Sequence, residues 1–156
     1  MSKIGVALVN LGTPDSAGVS DVKKYLLEFL LDKRVIDLPF IQRHLLVKGL
    51  IVPRRKKASS ELYKLLPELS DLPLRHFGYV LAEALEKALG ESFSVKLAMR
   101  YGEPSFKQLM QEWKEENLER LIIIPLFPQY ASATTGSVLE LFFDLIKTWS
   151  IIPKIH

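Results

Sequence analysis

The sequence contains no cysteine. That excludes a disulfide framework, a thiolate nucleophile, and zinc or iron–sulfur sites held by cysteine. Histidine is almost as scarce. His44, His76 and His156 stand alone, with no second His or carboxylate at ligand spacing and no H-E-x-x-H pattern. Neither a Ser–His–Asp set nor a paired-carboxylate site can be argued from the sequence. Neither G-x-G-x-x-G nor a Walker A loop occurs, so dinucleotide and P-loop chemistry lose their sequence signal. No apolar run approaches the ~18–20 residues of a membrane-spanning helix. Met1-Ser2-Lys3 leads straight into an apolar stretch, with no cationic segment, apolar core and cleavage site in series, so a signal peptide is not expected. What is present is 156 residues, 48% hydrophobic and 25% charged. Such a chain can bury a real core, and its composition excludes general disorder. The expectation is a soluble, cytoplasmic α/β domain.

Charge is distributed unevenly. The net +3 conceals a segment, 41–57, with six cations (Arg43, Lys48, Arg54, Arg55, Lys56, Lys57) and no acid; the remainder holds 15 basic and 18 acidic residues. A bare basic stripe would suit nucleic acid. This one is interleaved with Leu45, Leu46, Val47, Leu50, Ile51 and Val52, which suits a membrane interface or a hydrophobic, acid-bearing ligand better. No nucleic-acid partner is expected. A helix with one buried face and solvated cations is the plainer structural alternative.

Along the chain, 4–9 is a short β-branched run ending at Asn10-Leu11-Gly12-Thr13-Pro14, which reads as a buried parallel strand and a loop. Apolar spacing predicts a helix over 19–31, with Asp15, Ser16 and Ser20 as candidate caps. A further helix is predicted over 41–52, stopped by Pro53, then helices over 58–66 and 74–89, the last ended by Gly90. Strands are predicted over 93–99 and 119–126, helices over 104–117 and 136–149, and another strand opening near Ile151-Ile152-Pro153. Helical patterns between buried strands indicate βαβ crossovers and a parallel sheet.

In such a sheet, ligands sit beyond the carboxyl ends of the strands. Those ends are 10–14, 100–104 and 127–137. At the second, Arg100 could meet a carboxylate bidentately, or could neutralise a nearby Asp or a helix C-terminus. The third, PLFPQYASATTGS, is long and rich in hydroxyls: Ser132, Thr134, Thr135 and Ser137. An anion site at the next helix is one reading; capping by Thr135 or Ser137 is the other. Phe127 and Tyr130 there suit a flat apolar partner or local packing.

Five separated segments resemble the ferrochelatase family, in that family's order. They are VNLGTPDS (9–16), FLLDKRVIDLP (29–39), PRRKKASSELY (53–63), AMRYGEPS (98–105) and PLFPQYASATTGS (125–137). The resemblance implies a three-layer α/β/α, Rossmann-like lobe with a parallel sheet of about four strands. It implies insertion of ferrous iron into protoporphyrin IX, with porphyrin and ferrous iron as partners and no covalently bound cofactor. A coproporphyrin-specific ferrochelatase and a chelatase-like tetrapyrrole-binding module are the alternatives, since fold alone does not fix substrate.

Position by position, Leu11 falls against one face of the bound porphyrin, where Leu offers packing and no metal ligation. Arg55 and Tyr63 fall where the family holds the porphyrin and its propionates. Arg100 matches a pocket arginine, and Phe127 a pocket aromatic. Ser70 falls where a Gly-Ser-Pro turn contacts porphyrin, although this chain reads Leu69-Ser70-Asp71-Leu72-Pro73. Residues 38–57 correspond to a mobile lip that touches the bilayer in membrane-associated members, which implies peripheral membrane contact here. Cluster-bearing members have Cys at the position of Ser132, so no iron–sulfur cluster is implied. The family's catalytic His and its acidic partner lie in a second half, beyond residue 156. The expectation is therefore that residues 1–150 form the amino-terminal lobe, that 151–156 open the strand leading to a second one, and that this chain carries neither a catalytic nor a metal-ligating residue.

Overall fold

The structure, a computed structural model, describes residues 3–67, 71–116 and 118–156. Its centre is β1 (Lys3–Gly12), an apolar run with a parallel neighbour along each edge and helices covering both faces. The neighbours are β2 (Phe93–Tyr101) and β3 (Leu118–Pro125), and β4 (Lys154–Ile155) adds to β3, giving the order β2-β1-β3-β4, all parallel. This is the parallel sheet the alternation predicts.

Strand period two sends side chains to two cores. Val6, Leu8, Val95, Leu97 and Met99 meet α4 (Pro73–Leu89) on one face. Ala7, Val9 and Ala98 meet α5 (Phe106–Glu115) and α6 (Ser137–Ile146) on the other, around Phe106, Met110, Trp113 and Phe142. A third cluster joins α1 (Val19–Leu30) to the lip segment and to Tyr101 at the carboxyl end of β2.

The lip differs from the expectation. Pro53 does not stop a helix. Instead α2 (Phe40–Leu46), a π-helical turn (Val47–Ile51) and α3 (Val52–Lys64) run on as one helical segment, with Pro53 in the first turn of α3. The Val52 N–H reaches back five residues to the Val47 carbonyl. That wider turn eases the clash a proline ring makes with the preceding turn, at a position where no N–H is needed. Two caps also differ. Gly18, not a side chain, caps α1, while Ser16 accepts the Gly18 N–H at 3.0 Å. Ser105 caps α5 by accepting the Gln108 N–H, so that helix begins after Pro104.

Candidate functional site

β1 leads to β2 on one side of itself, and β2 then leads across it to β3 on the other. The strand order reverses there, so the crevice between the carboxyl ends of β1 and β3 is where an open parallel sheet takes its ligand. The first and third predicted loops flank it, and the second adjoins from β2. A cavity of about 410 Å³ lies elsewhere, along the outer edge of β2 between α4 and α5. There Glu86 accepts the Val95 N–H at 3.0 Å and blunts an edge strand.

Two glycines let the strand ends meet. Gly12 has φ +119°, and a Cβ on it would lie 1.8 Å from the Tyr101 carbonyl oxygen. Gly102, at φ +80°, would put its Cβ 2.8 Å from the Thr13 carbonyl oxygen. Only residues without a side chain allow the two loops to pass so closely.

Around this contact the predicted residues fall into separate groups. Leu11 and Tyr63 are both half-buried against the third cluster, and the Tyr63 phenol is hydrogen-bonded to the buried Thr13. Burial pushes that phenol up, partly offset by the Thr13 bond. Arg55 is exposed, two turns earlier on α3. Phe127 packs against the cluster beneath α5 and α6. Ser70 lies outside the described residues.

Arg100 is built into a hub. Its Nη2 donates to Asp32 Oδ2 at 2.7 Å, and its Nε donates to the Ser137 hydroxyl at 2.7 Å. The Tyr101 hydroxyl, at 2.8 Å, and the Ser137 hydroxyl, at 2.6 Å, donate to the same carboxylate oxygen. Oδ1 accepts the Arg34 N–H at 2.7 Å. Burial pushes the Asp32 carboxyl up, but the bonds from Ser137, Arg34 and Tyr101 and the Arg100 charge outweigh it and hold the group below its usual range. Burial also pushes the Tyr101 phenol up. Lys33 and Arg34 both pair with Glu140 of α6, and Arg34 reaches Ser132 in the π-helical turn Ser132–Gly136. Arg100 thus neutralises a nearby Asp, one of the two readings its sequence position allowed; Nη1 takes no part in these bonds.

The hub was only partly legible. Asp32 sits inside the second quoted segment but 68 residues from Arg100, with no local pattern to pair them. Ser137 was a candidate cap; in the structure its hydroxyl is spent on Asp32 and Arg100, and α6 has no side-chain cap. Among the described residues no group of His, Asp and Glu could hold a metal ion, and no helix is long and apolar enough to cross a membrane.

A four-stranded parallel sheet covered by helices, with its crevice at the strand-order reversal, defines an α/β lobe of the chelatase type. The family model for ferrochelatase matches residues 3–156. A ferrochelatase from Legionella pneumophila (strain Corby) is 44% identical over 151 residues, covering 97% of this chain and 45% of that protein. One from Coxiella burnetii (strain Dugway 5J108-111) is 43% identical over 139 residues, covering 89% of this chain and 39% of that protein. The chain belongs to the ferrochelatase family, and it spans less than half the length of these relatives.

Proposed function

We propose that this chain forms the porphyrin-holding lobe of an enzyme that inserts ferrous iron into protoporphyrin IX. The observation that supports it most is the convergence of separated family segments at one end of one sheet. Gly12 and Gly102 bring the first and fourth into contact, and the Asp32 hub joins the second, fourth and fifth. Leu11 would lie against the macrocycle face, with Tyr63 beside it and Phe127 on the opposite wall. Arg55 and the free Nη1 edge of Arg100 are suited to propionates, since a guanidinium matches a carboxylate in charge and geometry. Ser70 belongs to the same set by its place in the chain.

The chemical problem is to present pyrrole lone pairs to an entering ion. A macrocycle held bent has already moved toward the transition state, with the strain drawn from contacts at its rim. This lobe's residues bind and orient; proton removal and metal delivery belong to groups it does not supply. Iron is substrate here, and no resident cofactor or cluster is proposed. The exposed Phe40, Ile41 and Leu45, between 66% and 70% accessible and followed by the cations of α3, support peripheral contact with a membrane through 38–57.

The test is a titration of the purified chain with protoporphyrin IX, followed by absorbance. Saturable binding without insertion of iron or zinc is expected. No binding would overturn the porphyrin reading, and metal insertion by this polypeptide alone would overturn the division of labour.

A further inference from the structure

Between α1 and the lip lies a cleft of about 260 Å³ that belongs to none of the porphyrin candidates. Its lining is Lys23 and Leu27 from α1, and Lys48, Val52, Pro53 and Lys56 from the lip. Its apolar lining includes buried Val52 and half-buried Leu27, and its cationic lining is the three lysines.

Four other lysines each hold an acid of their own. Lys24 pairs with Asp15, Lys33 with Glu140, Lys64 with Glu61 and Lys147 with Asp144. Among the described residues, Lys23, Lys48 and Lys56 have no acidic partner, although Lys56 is partly buried. The acids of α1 are turned to other donors: Asp21 accepts the Ser16 hydroxyl and Glu28 the Gly102 N–H. The lip has no acid at all between Asp37 and Glu61. Three cationic residues therefore line one partly apolar cleft, with no acid among the described residues paired to them.

We propose that this cleft binds a phosphate group carried on an apolar body, with Lys23, Lys48 and Lys56 around the phosphate and Leu27, Val52 and Pro53 under the apolar part. The lysine chemistry favours phosphate over a flat carboxylate. Ammonium groups act as point charges and can surround a tetrahedral oxyanion from several sides, whereas planar, two-point recognition of a carboxylate calls for arginine, and none lines the cleft. The site stands whether or not the porphyrin reading does, because the two share no residue. A soluble alkyl phosphate and the headgroup of an anionic lipid offer the same chemistry.

Two arms of one experiment separate those sources. In the first, isotope-labelled chain is titrated with hexyl phosphate, and backbone amide shifts are followed by NMR. In the second, the chain is co-sedimented with phosphatidylcholine vesicles with and without phosphatidic acid. Both are repeated with two variants of equal charge change in the same segment, Lys48→Gln/Lys56→Gln in the cleft and Arg54→Gln/Lys57→Gln outside it. Shifts centred on Lys23, Leu27 and Val52, or sedimentation that needs phosphatidic acid, are expected. Each cleft lysine removed should cost about fivefold in affinity for hexyl phosphate, so roughly 25-fold for the pair, with a much smaller loss for the outside pair in that arm. Binding in the first arm alone assigns a soluble phosphate, and binding in the second alone assigns a lipid. Equal losses in the two variants would overturn the cleft in favour of a diffuse surface field. Binding in neither arm would overturn it outright. Porphyrin titration of the cleft variant should match the parent chain, so a failure here and a failure of the porphyrin reading are separately visible.

Discussion

The hub around Asp32 and the lip from Phe40 to Lys64 lie near the same end of the sheet, yet their charges are handled in opposite ways. In the hub, one buried carboxylate collects a guanidinium, a phenol and a hydroxyl on a single oxygen. In the lip, the exposed cations Lys48, Arg54, Arg55 and Lys57 stand beside exposed Phe40, Ile41 and Leu45 with no acidic partner among the described residues. Satisfied buried charges fix geometry, and unsatisfied exposed ones remain available to something else. The contrast separates what holds the ligand end of this lobe together from what it offers to solvent and ligands.

The largest effect should come from breaking the hub. Asp32→Ala leaves the Arg100 guanidinium, largely shielded from solvent, without its counter-charge, and should cost roughly 3–5 kcal/mol in a urea unfolding curve. Gly12→Ala follows, at about 2–3 kcal/mol, because it forces a side chain into a left-handed backbone position against the Tyr101 carbonyl. A loss under ~0.5 kcal/mol in Asp32→Ala would remove the hub's claim to hold this end of the sheet, and the same result in Gly12→Ala would remove the need for glycine where the two loops meet.

The pH dependence sharpens the same point. The Asp32 carboxyl titrates below its ordinary range when folded. Its pairing therefore contributes stability above the unfolded value of about 3.9, and that contribution is lost as pH falls through the lowered folded value. Stability measured from pH 6 downward should decline more shallowly in Asp32→Asn than in the parent chain.

Lip substitutions should do the reverse, leaving the fold intact while changing binding. Arg55→Ala should weaken protoporphyrin binding about tenfold by removing a charged hydrogen-bond donor, with stability within ~0.5 kcal/mol. Unchanged affinity would remove Arg55 from the porphyrin set. The smallest stability effect belongs to Leu45→Ser, a 70% exposed leucine, expected within ~0.5 kcal/mol by thermal melting. If it also leaves vesicle co-sedimentation untouched, the apolar face of the lip is not what meets a membrane.

Much of this lobe is legible in the sequence alone. The runs at 4–9 and 119–126 read as buried strands because near-continuous apolar, β-branched stretches need cover on both faces, and 93–99 read as a strand alongside them. The +6 segment and the hydroxyl-rich loop were visible as composition, and the five family segments marked the ligand end. Pro53 misled because its effect depends on the turn before it: a π-helical turn admits a proline that an α-helical one rejects.

The sequence by itself determined the strand–helix alternation, the family and the end of the sheet where a ligand belongs, since periodicity, backbone chemistry and extended motifs are local properties of the chain. Only the tertiary structure decided that Arg100 answers to Asp32, that Ser137 is a hub member rather than a cap, and that Lys23 joins Lys48 and Lys56 around one cleft. Those pairings join residues 25 to 105 positions apart in the chain, and no local preference encodes them. They arise when burial removes water and each charge must find a partner, or be left without one.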